Sequence, residues 1–511
     1  MAEHFKASAW VQGAILIALS QVGVAQAAPR PAAFKPTPFK PTAATLLPDA
    51  GKARVFVLSD IGNEPDDQMS LVRLLTYAND IDIEGFGATT SIFQREKVRP
   101  DIAQHVLAAY AKVASRLREH SPDYPKAEDL AKRILPGVEG YGLASIKPDA
   151  PSPAALALLE AAAKPDPRPL WVGLWGGGNT LAEALAHAKA RLAPEAFAAL
   201  IAKLRIYSIS DQDDAGPFLR REYPALFWVG KPSGQDSAEY ASATWTGISG
   251  DQFYRNGEGA DFTKVSNDWL EKNIRAKGPL GAAYPRYMFI MEGDTPAFLG
   301  LIPNGLNTPE RPDWGGWGGR YLLRQPTGES RKLFSQGGDS FMRVTSADTV
   351  NGHTSDHATI WRWRDAFQND FASRMDWTIQ PFAKANHAPQ PVVNGLGTLA
   401  PLLIKAKAGE TIQLDASASR DPDGNALTYR WFAYDEAGFD GQSPNPALSI
   451  AAPKAARTSV TITARCAKSW LDLPQLTCPP VRTAHLVLAV TDTPKGQPAI
   501  TRYRRILIEV R

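Results

Sequence analysis

VFVLSDIGNEPDDQMSLVRLL, residues 55–75, runs from an apolar stretch into a loop holding Asp60, Glu64, Asp66 and Asp67 within eight positions. The preceding "ARVFVLSD" has the length and β-branched content of a buried strand. "DDQMSLVRLLTYAN" then sets Met69, Leu71, Val72 and Leu75 on one helical face. This strand–loop–helix unit recurs. "IDIEGFGATT" leads to "PDIAQHVLAAYAKVASRL", "RPLWVGLWGGG" to "NTLAEALAHAKARL", and "LRIYSISD" to "AGPFLRREYP". Strands alternating with helices imply an α/β fold whose mainly parallel sheet is flanked by helices. Ligands bind such sheets outside the carboxyl ends of the strands, which is where the acid-rich loop falls.

Four acids so close repel one another unless something neutralises them. A helix N-terminus welcomes carboxylates, which accounts for Asp66 or Asp67 alone. It does not account for Asp60 facing both. Hard oxygen ligands converging at a strand end suit Ca²⁺, which takes six to eight of them. Glu64 has no role beyond solvating the loop.

The 511 residues allow two or three domains. A net charge of +3, without a Lys/Arg stripe, gives no nucleic-acid footprint. Residues 1–27 read as a signal peptide, with Lys6 in a polar start, an apolar middle from Ala14 to Leu19 and the A-x-A site Ala25-Gln26-Ala27. The apolar core is too short to anchor the chain in a membrane, so the protein is expected to be exported, to the periplasm or beyond. Residues 28–50 are a Pro/Ala-rich linker or surface tail. Residues 51–385 form the α/β domain. Beyond a Pro-rich junction, residues 386–511 alternate in short segments with turns between them, as in an all-β, immunoglobulin-like sandwich. Cys466 and Cys478, an even count in an exported chain, are expected to form one disulfide.

"SDIGNEPDD" resembles the D-x-D-x-G-x-D-D signature of nucleoside hydrolases, and more closely their exported relatives labelled cellulose-binding. "IEGFGATTS", "LWGGGNTLAEAL", "IYSISDQDDAGPFLRREYP", "MEGDTPAFLGLIPNGLN" and "DWGGWGGRY" extend the resemblance over residues 52–385, and the sandwich is similar to the C-terminal domain of those relatives. The resemblance implies a calcium site. Asp60 would bind the ion and take a proton from the attacking water. Asp67 would be a second ligand, and Asp66 would hold sugar hydroxyls. The backbone carbonyl of Asn179 and the late carboxylate Asp294 would complete the shell.

Three features depart from that pattern: Leu58 stands at the first Asp, two residues are inserted before the Asp pair, and Gly293 occupies the place of the His that protonates the leaving base. The ion site therefore transfers and the nucleobase site does not. A glycosidic oxygen needs a carboxyl to protonate it. Glu292 is the first candidate, and the strand-end acids Asp211, Asp213 and Asp214 supply another, Asp211. Trp175, Trp314 and Trp317 stand beside glycines and are expected to offer flat faces to a sugar. His353 and His357 lack the H-E-x-x-H pattern of zinc proteases, so His353 is expected to touch substrate or serve structure rather than bind zinc. Asp415, Asp421 and Asp423 fit a turn better than a second calcium site.

The expected function is calcium-dependent hydrolysis of a glycosidic bond in a carbohydrate. Hydrolysis of nucleosides and non-catalytic glycan binding are the alternatives.

Overall fold

The computed structural model describes residues 39–49, 51–233, 242–248, 259–286, 288, 290–336, 346–439, 444–467 and 478–511. The leader expected over residues 1–27 lies outside the described residues. Among those described, no helix is long and apolar enough to cross a membrane.

Strand β1 (Thr45–Leu46) comes first. Eight strands then build the main sheet: β2 (Ala53–Ser59), β3 (Ile81–Ala88), β4 (Ile134–Pro136), β5 (Leu170–Leu174), β6 (Leu204–Ser208), β7 (Phe227–Val229), β8 (Leu322–Arg324) and β9 (Leu333–Ser335). Their order is β4-β3-β2-β5-β6-β7-β9-β8, and every pair is parallel except β8 with β9. The central strand β2 explains the opening apolar run. Val55 and Val57 point into one core and Phe56 and Leu58 into another on the opposite face, because successive side chains of a strand alternate. Both faces are covered, so the run has no polar interruption.

β10 (Asp348–Val350) and β11 (His353–Ser355) form a hairpin. The sandwich follows, with β12 (Leu402–Ala406), β13 (Thr411–Asp415), β14 (Leu427–Ala433), β15 (Ala447–Ile450), β16 (Arg457–Ala464), β17 (Arg482–Asp492) and β18 (Thr501–Val510). One sheet runs β1-β12-β18-β17-β14 and the other β13-β16-β15. Within them, β12 and β18 pair in parallel and the rest antiparallel. The Pro/Ala-rich segment thus supplies a strand, since Thr45 and Leu46 pair with Leu403 and Leu402. Cys466 and Cys478 are joined in a disulfide.

The sandwich and the α/β half share a core: Tyr434, Val487 and Tyr503 pack in one cluster with Trp317 and Phe367. Arg505 crosses the seam, donating to the Leu306 carbonyl at 2.8 and 3.0 Å, to that of Gly315 at 2.8 Å and to that of Trp314 at 3.2 Å. Asp348 sits buried among Arg320, Arg362 and the Tyr434 hydroxyl, at 2.7, 2.6 and 2.7 Å.

Candidate functional site

Asp60 follows the last residue of β2, and Asp66 and Asp67 open the helix Asp66–Thr76. Asp294 precedes the short helix Pro296–Leu299. All four carboxyls are buried. Oxygens of Asp66, Asp67 and Asp294 lie within 4.8 Å of one another, and among the described residues this is the one group of acids, His or Cys arranged to hold a metal ion.

Few donors relieve the crowding. The Ser59 hydroxyl donates to Asp67 Oδ1 at 2.5 Å, while Asp294 Oδ2 is buried with no hydrogen-bond partner. Among the described residues, no Arg, Lys or His forms an ion pair with any of the four. Burial is the leading influence on each: it pushes Asp60 up to about 6 and Asp66 up to about 8, and holds Asp67 and Asp294 well above the usual carboxylate range. Neighbouring acids add to the effect. At such spacing each charged pair repels by about 3–4 kcal/mol at an effective dielectric near 20. Separate oxygen donors, an unpartnered buried oxygen and no internal counter-charge fit a hard divalent cation such as Ca²⁺.

The glycine run holds Asp60 in place. A Cβ on Gly176 would stand 2.8 Å from both the amide nitrogen and Oδ1 of Asp60, and one on Gly177 would stand 2.5 Å from Asp213 Oδ2. Only glycine lets this loop lie against both carboxylates. From the other side Gln94 Nε2 donates to the Asp60 carbonyl at 3.1 Å.

Asp213 is the residue that sequence reading passed over in favour of Asp211. It accepts from the amides of Asn179 and Ala215, each at 3.0 Å, and burial pushes it up to about 6. Asp211 instead receives Arg220 in a two-pronged pair at 2.7 and 2.8 Å, which leaves no carboxyl free to give up a proton. Glu292 is likewise committed. Arg73 reaches its two oxygens at 2.5 and 3.0 Å, and the hydroxyls of Tyr284 and Thr295 add bonds of 2.6 and 2.8 Å. Both acids expected to protonate a leaving group are therefore buried partners of arginine.

Other expectations also change. Asn179 opens the helix Asn179–Arg191, so its carbonyl belongs to the helical ladder. Its side chain bonds Thr89, Thr90 and Gly140, outside the carboxylate group. Trp175 is 1% exposed, edge-on to Phe86, and Trp317 is fully buried against Phe367 and Tyr503. Trp314 faces the sandwich, edge-on to His485 and beneath Arg311. None of the three presents a face to a sugar. The glycines beside Trp314 serve close approach: at Gly315, with φ +70°, a Cβ would meet the Tyr434 hydroxyl at 2.4 Å. His353 lies half-buried in the β10–β11 hairpin, and His357 Nε2 shares a 2.8 Å bond with Thr246 Oγ1. In the sandwich, Asp421 accepts from the amides of Asp423 and Asn425, as a turn requires.

Comparison with known proteins accords with this architecture. Residues 54–321 match the family model described as cellulose-binding Sde182, nucleoside hydrolase-like domain, and residues 411–510 match the cellulose-binding protein Sde0182 C-terminal domain. A solved structure, a nucleoside hydrolase-related hypothetical protein from Saccharophagus degradans associated with carbohydrate metabolism, is 31% identical with a TM-score of 0.72, covering 90% of this chain and all of that one. The effector protein XOO4466 aligns at 13% identity and a TM-score of 0.30, over 64% of this chain and 92% of its own, a likeness that carries no argument. No curated protein matches. The chain belongs to the cellulose-binding Sde182 family, with a nucleoside hydrolase-like domain followed by the C-terminal domain of that family.

Proposed function

We propose that this protein is an exported, calcium-dependent hydrolase of a glycosidic bond in a carbohydrate. The observation that carries the reading is the cluster of Asp60, Asp66, Asp67 and Asp294, buried without an internal counter-charge and with Asp294 Oδ2 unpartnered. Asp67 and Asp294 would hold the ion together with Asp60, and Asp66 would hold sugar hydroxyls beside it. A bound cation would neutralise the carboxylates and polarise a water at the strand ends. Asp60, fixed between Gly176 and Gln94, would take the proton of that water. The family description and the carbohydrate association of the Saccharophagus degradans structure support a glycan over a nucleoside, as does Gly293 where a nucleobase acid is expected.

Glycan binding without turnover is the second reading. It is favoured by the engagement of Glu292 and Asp211 with arginine, since neither is left to protonate a leaving oxygen.

The test is a product screen of the purified chain against α- and β-glucans and nucleosides, with calcium and with chelator, beside Asp60→Ala. Calcium titration calorimetry on the wild type and Asp294→Asn accompanies it. Sugar release that stops with chelator and in Asp60→Ala establishes the hydrolase. Ribose release alone makes it a nucleosidase. Calcium binding that Asp294→Asn removes, with retention of a glucan but no product, makes it a binding protein.

A further inference from the structure

At the crossing from the α/β half into the sandwich, three side chains and a carbonyl form a chain of hydrogen bonds. His120, the last residue of the helix Ala114–His120, lies 2.9 Å through Nε2 from the Gln380 carbonyl and 2.9 Å through Nδ1 from His387 Nε2. His387 Nδ1 lies 2.9 Å from Asp423 Oδ1, and Asp423 Oδ2 accepts the His387 amide at 2.6 Å. Trp377 and Phe382 stack on both imidazoles, with ring centres 3.9 to 5.8 Å apart, and fix their planes.

Counting donors sets the protonation of this chain. The Gln380 carbonyl only accepts, so His120 Nε2 carries a hydrogen. The Asp423 carboxylate only accepts, so His387 Nδ1 carries one as well. The bond between the rings needs a third hydrogen, on His120 Nδ1 or His387 Nε2. Two neutral imidazoles hold two N–H groups between them, and this arrangement needs three. The bonds are complete only with one added proton on the pair, balanced by the Asp423 carboxylate. Burial disfavours the charged form of His120, and the Asp423 carboxylate lies against His387 Nδ1 at 2.9 Å.

We propose that His120, His387 and Asp423 form a proton-dependent latch, which fastens the end of the α/β half to the sandwich turn while it holds that proton and opens when the proton is lost. Loss leaves two hydrogens for three bonds, so it breaks one of them: the bond to the Gln380 carbonyl, the bond between the rings or the bond to Asp423. A second added proton opens it too, by setting two N–H groups and two positive charges against each other.

The charged groups nearby do not replace the proton. Arg116 and Glu119 flank His120 on its own helix and pair with each other at 2.6 Å. Arg374 lies over Trp377 but is engaged by Asp80 and Asp370. Behind Asp423 stand Asp421, whose Oδ1 accepts the Asp423 amide, and Asp492, which accepts from Asn386. None of these puts a hydrogen between the two rings.

Asp423→Asn tests the latch with little change of shape. The new amide can donate to His387 Nδ1 while its oxygen still accepts the His387 amide. His387 Nε2–H can then donate to His120, so every bond forms with both imidazoles neutral. Hydrogen–deuterium exchange of residues 380–390 and 420–426, corrected for intrinsic rates, is followed from pH 6 to pH 9 in the full chain. In the wild type, protection is expected to fall by up to about tenfold per pH unit once the proton is lost. In Asp423→Asn it is expected to stay flat. ¹⁵N spectra of the imidazoles give an independent reading: three N–H groups on the pair in the wild type at pH 6, and two in the variant. Wild-type protection unchanged over the range, a variant that follows the same pH profile as the wild type, or two neutral rings in the wild type at pH 6 would each overturn the proposal.

Discussion

Asp60, Asp66, Asp67 and Asp294 bind protons more tightly folded than unfolded, because burial raises each above its ordinary value of 3.8. Without a cation, the stability they contribute is fully present below that value and is lost as pH rises through about 6 for Asp60 and about 8 for Asp66. Thermal melts in chelator should therefore show the cluster weakening the fold from pH 5 to pH 8. Added calcium should raise the melting temperature more at pH 8 than at pH 5. An equal rise at both values would place calcium elsewhere. Glu292 differs from these acids in having a counter-charge, the guanidinium of Arg73. Glu292→Gln leaves that guanidinium buried without its counter-charge and should cost about 3–5 kcal/mol, read as a lower urea midpoint. A loss below about 1 kcal/mol would mean that the buried pair contributes little to the fold.

The glycine loop after β5 carries the next prediction. Gly176→Ala would drive a methyl against the main chain of Asp60, which cannot swing aside as a long side chain can. Far-UV dichroism should stay native while calcium affinity falls by about 10–100-fold, the range seen when support around a metal ligand is disturbed. Unchanged affinity would show that Asp60 needs no such support.

Elements were the legible part of the sequence. Each strand–loop–helix unit from β2 onward has its own periodicity, and local pattern sufficed to find β2, β3, β5 and β6 with the helices after them. What each side chain faces was not local. Asp211 and Asp213 stand two apart after the same strand, yet one meets Arg220 and the other the Gly177 loop. The partner of Glu292 is 219 residues away. Glycines around Trp314 and Trp317 suggested exposure, whereas they let the sandwich and neighbouring loops close over both rings. The acid cluster was readable because repulsion among near neighbours demands an explanation within the sequence itself. Thr45–Leu46 was not, since two residues joining a distant sheet leave no pattern.

Over the whole molecule, the sandwich acts as part of the α/β half as well as a layer of its own. Arg505 satisfies the carbonyls of Leu306, Trp314 and Gly315 at the back of the segment that follows Asp294. Arg505→Met keeps much of the packing and strands those acceptors at about 1–3 kcal/mol each. Guanidinium denaturation should then show both halves unfolding at a lower midpoint in one transition, followed by near-UV dichroism and tryptophan fluorescence together. Two separated transitions would mean that the seam does not couple them.

The pairing of β1 with β12, and of β12 with β18, also sets a schedule for biosynthesis. Thr45 and Leu46 leave the ribosome early, but their sheet is finished by a strand ending at Val510. At ~5–20 residues per second, the interval is on the order of half a minute or more. Throughout that time the nascent chain lacks Arg505 and Tyr503, so the seam-facing apolar residues of its first half stay uncovered. Completion waits until β18 has emerged, and a chain stalled short of that strand would be work for chaperones and proteases.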